Sequence, residues 1–273
     1  MLKTRIITAL ILMSAFIPAL FMFSDETWAV VMLGITLLAI YEWGALIKLN
    51  ATERWVYTTI CAALGIAVVM LMDRYGFHLF FYKSILVFFF AAIFWLFIVP
   101  IWLAKRFVIG SKLAMALLGV LLMAPLWLAL ICARGADPWL VLILLATIWI
   151  ADSAAYFSGK NFGKNKLAPT ISPGKTWEGV FGALLAVTLF AAILRYVFGA
   201  DNPAIFPLLW VTAGFGVIGD LFESLMKRQA NIKDSGDLLP GHGGILDRID
   251  GLIPSLPIAI LLIYAYNYYG VAH

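Results

Sequence analysis

Apolar residues run through this chain in long blocks separated by short polar connections. A helix rises about 1.5 Å per residue, so about 20 apolar residues cover the roughly 30 Å core of a bilayer. Nine blocks approach that length: Ile6–Phe23, Val30–Ile47, Trp55–Met72, Ser84–Ala104, Leu113–Ala133, Trp139–Phe157, Trp177–Phe198, Ala204–Met226 and Leu252–Tyr269. They do not alternate in polarity as barrel strands do. Lipid offers no partner to an unpaired backbone group, so each block is predicted to be a helix. The expected fold is all-α, a polytopic membrane bundle of about nine transmembrane helices. Residues 1–273 read as one membrane domain, with a looser division into helices within 1–135 and helices within 136–273. The second part carries two long polar loops, 158–176 and 227–250.

Composition agrees with this pattern. Hydrophobic residues make up 64% of the chain and charged residues 12%, against about a quarter charged in a soluble domain. Mean hydropathy is +1.00. A water-soluble core is excluded on these grounds. The N-terminal block follows Lys3 and Arg5 as a signal peptide does, but it is longer than a signal core and is expected to stay as the first helix. Cys61 and Cys132 both lie inside apolar blocks, so neither a disulfide framework nor a zinc spacing is available.

Charge sets the expected orientation. With nine spans, fifteen of the nineteen Lys and Arg residues fall in or beside connections on the side of the N-terminus. Basic residues favour the cytoplasmic side. The N-terminus and both long loops are therefore expected in the cytoplasm and the C-terminus on the far side. The net charge of +4 comes from these loops and suits contact with anionic lipid headgroups. Nothing in the chain resembles a nucleic-acid module, and there is no internal repeat of the kind that builds inverted-repeat transporters.

Four acids interrupt or flank apolar blocks: Glu42, Asp152, Asp220 and Glu223. Glu42, Asp152 and Asp220 fall roughly five or six residues before the cytoplasmic end of their blocks, about 8 Å deep. Ionisable groups there are costly and mark function, unless they snorkel or serve a structural hydrogen bond. Asp220, Glu223, Ser224 and Lys227 are spaced to share one helix face. Asp247 and Asp250 stand at the start of the last helix, where Asp247 is expected to meet Asp220. Carboxylates in this density suit Mg²⁺, in one or two ions, which takes a few oxygen ligands and completes its shell with water and substrate phosphate.

The two loops carry the basic half of that chemistry. In the first, Lys160, Lys164, Lys166 and Lys175 alternate with Gly159, Gly163 and Gly174, so main-chain N–H groups and ammonium groups can both approach phosphate. Ser172-Pro173-Gly174-Lys175-Thr176 is not a Walker A loop, because Pro169 stands where that motif needs glycine. Ser172, Lys175 and Thr176 are expected to open the next helix, whose N-terminus favours anions. The stretch from Ser224 to Asp250 holds Lys227, Arg228, Lys233, Arg248, Asp234, Asp237, Asp247 and Asp250 around the turn Gly241-His242-Gly243-Gly244. His242 suits a contact to phosphate or nucleobase better than a general base, since a phosphomonoester is already anionic at neutral pH.

Ser224, Lys227, Arg228, Lys233, Asp234, Gly236, Pro240, His242, Gly243, Gly244, Asp247, Arg248 and Asp250 together resemble the signature of the phosphatidate cytidylyltransferase (CDP-diacylglycerol synthase) family. The upstream stretch from Ser158 to Gly179 is similar to a second region of that family. The resemblance implies transfer of CMP from CTP to phosphatidic acid, giving CDP-diacylglycerol and pyrophosphate, with Mg²⁺ and room for a second, monovalent cation. It implies a homodimer in the bacterial inner membrane, surrounded by membrane lipids, acting in phospholipid biosynthesis. Asp220 and Asp247 would be the main metal ligands, joined or supported by Asp250, Glu223 and Asp152. Lys227, Arg228, Lys233 and Arg248 would hold phosphates, with Asp220, Lys227, Asp247 and Arg248 nearest the chemistry. Lys160, Lys164 and Lys175 would attract nucleotide or lipid headgroup, and Ser172, Ser224, His242, Gly243 and Gly244 would complete the substrate contacts.

Three other readings compete. A CDP-alcohol phosphotransferase needs a motif that the chain lacks, because Asp250-Gly251 continues as Leu252-Ile253-Pro254. A CTP-dependent polyprenol kinase shares the nucleotide and the membrane context. An ion or phosphate transporter would place its polar groups near the bilayer midplane, whereas here they crowd toward one surface.

Overall fold

The computed structural model describes residues 2–199, 202–236, 238 and 243–271. Its helices in chain order are α1 (Leu2–Met22), α2 (Asp25–Leu46), α3 (Ala51–Tyr75) and α4, which runs as Phe77–Ile93, a π-helical turn over Phe94–Ile98, and Val99–Lys105. Then come α5 (Lys112–Ala136), α6 (Pro138–Phe162), α7 (Trp177–Tyr196), α8 (Ile205–Ala230), the single turn α9 (Leu246–Ile249) and α10 (Leu252–Val271). Eight candidate spans among the described residues are long and apolar enough to cross a membrane: α2 to α8, and Leu246–Asn267, which joins α9 to α10. The remaining expected span, α1, is also a helix.

Polar residues at the turns set where helices begin. Ser24 accepts from the Thr27 N–H, and Asn50 and Glu53 bond reciprocally across the start of α3 at 2.9 and 2.8 Å. Ser111 caps α5, and Asp137 followed by Pro138 opens α6. In the interior, indole and phenol donors bond backbone carbonyls of neighbouring helices. Trp43 donates to Met115 O at 2.8 Å, Trp127 to Ala29 O at 2.9 Å and Tyr57 to Ala116 O at 2.8 Å. These bonds knit α2, α3 and α5 where lipid supplies no competing water.

The π turn of α4 builds an aromatic clamp. Phe94, Trp95 and Trp102 each meet Phe222 of α8 edge-on, with centroids 6.2, 5.5 and 5.4 Å away. Phe222 lies beside Glu223, so the clamp fixes the part of α8 that carries the acids.

Two expectations shift. The first long loop is partly ordered as an antiparallel hairpin, β1 (Lys166–Ala168) paired with β2 (Ser172–Thr176). Helices α6 and α8 also run on past the apolar blocks, to Phe162 and Ala230. Asp152 and Asp220 each stand ten residues before these helix ends, while the ends of their apolar blocks, Phe157 and Met226, remain five and six residues on. The last turns are too polar to be read from hydropathy, yet tertiary packing keeps them helical.

Gly119 of α5 sits where an added Cβ would press into the Trp43 ring and the Tyr57 hydroxyl, the latter at 2.6 Å. Both groups are held by their hydrogen bonds and cannot give cheaply. Gly119→Ala is expected to destabilise the fold by about 1–3 kcal/mol, read as a lowered melting temperature of the detergent-solubilised protein.

Candidate active site

The face predicted on α8 is present. Ser224 Oγ donates to Asp220 Oδ1 at 3.3 Å, and Lys227 Nζ lies 2.5 Å from Glu223 Oε2 one turn away. The same ammonium donates to Asp247 Oδ1 at 2.7 Å. One lysine thus joins acids from α8 and α9. All three side chains are buried, with relative exposures of 12% for Lys227, 4% for Glu223 and 8% for Asp247. Neither Glu223 oxygen has a hydrogen bond of good geometry, although the ion pair is close. Glu223 faces Asp250 and Asp247 as well as Lys227.

A second lysine organises the other half. Lys175, on β2, places Nζ 2.6 Å from Asp220 Oδ2 and 3.3 Å from Val217 O of α8. Asp250 lies within electrostatic reach of Asp220, Lys175 and Asp152, and Asp152 within reach of Asp220 and Lys175. Gly219 makes this approach feasible: a Cβ there would collide with Asp250 O and come 2.8 Å from the Pro254 ring. Asp152, Asp220, Asp250, Glu223 and Asp247 thus lie within electrostatic reach of one another in succession, and among the described residues Lys175 and Lys227 pair with three of them. Asp220 and Asp247 are not direct partners; Lys175 engages one and Lys227 the other.

The hairpin is fastened so that Lys175 can reach α8. Thr176 ends β2 and caps α7, accepting from the Gly179 N–H at 3.1 Å. The Glu178 carboxylate accepts from the main chain and side chain of Asn165 just before β1. Gly159 and Gly163 of the α6 end pack on Thr176, where a Cβ would come within 2.9 and 2.8 Å of its side chain. Ser172 lies at the far end of β2, not at the helix start, and is half-buried. Lys160 and Lys164 are exposed. Lys160 has its Nζ 5.8 Å from the Tyr156 ring centroid.

Asp247 also shapes the second loop. Its Oδ2 accepts from the Ser235 N–H at 3.0 Å and the Gly244 N–H at 2.9 Å. Gly243 has φ +79°, and a Cβ there would press on the same oxygen at 3.0 Å. Arg228, Lys233 and Arg248 are exposed around this loop. His242 lies outside the described residues. Glu42, absent from the predicted site residues, is buried against the loop through Ser235, Ile245 and Leu246. Its sequence signal was a lone acid inside an apolar block.

Comparison with known proteins decides the relationship. The description of the cytidylyltransferase family matches residues 3–266. The chain belongs to this family. It is 33% identical over 295 aligned residues to a phosphatidate cytidylyltransferase of Haemophilus influenzae, covering 99% of this chain and 100% of that protein. The counterpart from Pseudomonas aeruginosa is 35% identical, covering 97% and 98%. That from Staphylococcus saprophyticus is 33% identical, covering 96% and 98%. The family resemblance read from the loop residues thus extends along the chain.

As a member of the cytidylyltransferase family the chain would need to hold a nucleotide triphosphate, and its donor set fits a hard divalent cation. Among the described residues no three acids converge into a preformed cage. Mg²⁺ does not need one, since one or two carboxylates, waters and substrate phosphates complete its shell. The crowding of carboxylates around two lysines, and a buried Glu223 whose oxygens make an ion pair but no hydrogen bond of good geometry, are the observations that support this fit.

Lys227→Met is expected to destabilise the fold by about 3–5 kcal/mol, the cost of leaving buried acids without their cation. Adding Glu223→Gln should recover part of that loss. Thermal unfolding of the two variants beside the parent checks both.

Proposed function

We propose that the protein is a phosphatidate cytidylyltransferase that works at the cytoplasmic surface of a bacterial inner membrane. A phosphate oxygen of phosphatidate attacks the α-phosphorus of CTP. The bond from that phosphorus to the bridging oxygen of the β-phosphate breaks, giving CDP-diacylglycerol and pyrophosphate. The observation that carries the reading is the chain of five acids held by Lys175 and Lys227 beside exposed Arg228, Lys233 and Arg248. The family and its named relatives supply the substrate class.

The protein's part is positioning and charge balance more than covalent chemistry. Asp220 and Asp250, with Asp152 and Glu223 close by, would hold Mg²⁺, and a second, monovalent cation has acids to spare. When bound, the metal neutralises developing charge on the phosphates. Lys227 and Arg248 hold nucleotide phosphates near Asp247. Arg228 and Lys233, with Lys160 and Lys164, draw anionic substrates toward the membrane surface. Lys175 sits where it can pass from Asp220 to a phosphate. Ser172, Ser224, Gly243, Gly244 and His242 complete the substrate contacts in this reading. The basic loops favour a cytoplasmic N-terminus, and a homodimer is part of the same proposal.

The test uses the full chain in detergent with phosphatidate, CTP and Mg²⁺. Cytidine label should enter lipid while an equal amount of pyrophosphate appears. Entry of only the γ-phosphate would replace the reading with a lipid kinase. Phosphate or ion uptake by proteoliposomes without nucleotide would replace it with a transporter. Asp220→Asn should lower turnover at least about 100-fold, near 2.7 kcal/mol in the barrier, and raise the Mg²⁺ concentration needed for half-maximal rate. Turnover within about tenfold of the parent, with the same Mg²⁺ dependence, would remove Asp220 from the metal site.

A further inference from the structure

Glu42 belongs to α2, far in sequence from the acids on α8 and α9, and is 2% exposed. Its carboxylate is surrounded by donors from the second loop. Oε1 accepts from the Ile245 N–H at 3.0 Å. Oε2 accepts from the Leu246 N–H at 2.8 Å and from Ser235 Oγ at 3.0 Å. Ile245 and Leu246 begin α9, the turn that carries Asp247, so Glu42 caps that turn from another helix. The loop wraps the carboxylate closely. A Cβ on Gly236 would stand 2.6 Å from Oε1, and one on Gly244 would stand 2.5 Å from Oε2.

Glu42 and Asp247 grip the same two pieces of chain. Ser235 gives its hydroxyl to Glu42 and its N–H to Asp247. Gly244 gives its N–H to Asp247, and the next two residues give theirs to Glu42. The loop is thus closed across its base by two carboxylates, one of them supplied by the N-terminal helices.

We infer that Glu42 is a positioning residue for the cytidylyl transfer, holding the base of the loop so that Asp247 and Asp250 present their carboxylates at fixed places. It touches no substrate; it acts through α9. The inference rests on the proposed reaction for its catalytic consequence, but the anchoring itself can be read without any substrate.

The decisive variant is Glu42→Gln in the full chain. The amide keeps the volume, but its NH₂ cannot accept a hydrogen bond and in either orientation must face a backbone N–H, that of Ile245 or that of Leu246. Hydrogen exchange is measured on peptides covering residues 232–250, beside kcat, the KM for CTP and the melting temperature. Expected are exchange at least about tenfold faster for the Ser235, Ile245 and Leu246 amides, kcat lowered at least about tenfold and KM for CTP within about threefold. Melting should stay within a few degrees of the parent. Unchanged exchange in this stretch overturns the inference. Faster exchange with an unchanged kcat also overturns it, because Glu42 would then be a structural bond alone. If Glu42→Gln does not fold, Ser235→Ala removes a single donor to the same carboxylate and should shift exchange and kcat in the same directions by about threefold. No change in either sinks the idea. If the parent chain transfers no cytidylyl group at all, the proposed reaction fails and the positioning role with it, while the exchange comparison still decides whether Glu42 anchors the loop.

Discussion

One ammonium group in a low-dielectric interior holds the site together. Lys227 lies between Glu223 of its own helix and Asp247 of the next, with all three side chains largely withdrawn from solvent. Each charge on its own would be costly at such a place, and each is tolerable because the others are there. The position of the last helix start relative to α8 is therefore set by a requirement for neutralisation. The same rule governs Lys175 and Asp220 across the hairpin. Apolar packing could be satisfied by several arrangements of α8 and α9, but these pairings leave few of them.

The bundle around the site converts this requirement into geometry. The π turn in α4 changes the helix phase, and Phe94, Trp95 and Trp102 close on Phe222. That clamp keeps α8 from rotating, so Glu223 and Lys227 cannot turn toward lipid. On the opposite flank, Thr176 serves both as the end of β2 and as the cap of α7. A single threonine thereby joins the hairpin, α7 and the close-packed end of α6, and delivers Lys175 to Asp220. Both devices fix side-chain positions through packing and hydrogen bonds, as positioning of phosphates on the proposed reaction would require.

Much of this was legible in the chain. Among the described residues the nine apolar blocks fall on nine long helices, because a bilayer permits little else. The spacing of Asp220, Glu223, Ser224 and Lys227 gave their shared face directly, since helical period alone decides it. The family was legible in the loop stretch, which holds residue types that packing does not call for. Other features had no local signal. The hairpin over Lys166–Thr176 is short, rich in Pro and Gly, and stabilised by contacts to α6, α7 and α8. The separate engagement of Asp220 by Lys175 and Asp247 by Lys227 depends on which lysine arrives from which element, a tertiary matter. Glu42 was visible as an oddity, but its partners lie about two hundred residues away, and no periodicity connects them.

The surplus of acids over lysines gives the site a direction of change on the proposed reaction. Lys175 and Lys227 are paired with carboxylates, groups that would also suit a divalent ion. On that reading a nucleoside triphosphate and a divalent cation would enter as a nearly compensated pair. The acids would then be balanced by the cation, and Lys175 and Lys227 would be available to the phosphates. Either partner alone would be less well matched, the cation because two ammonium groups already stand beside these acids and the triphosphate because the acids repel it. On the proposed reaction this charge arrangement favours coupled binding of metal and nucleotide, with the clamp, hairpin and loop base packed around the side chains that would exchange partners.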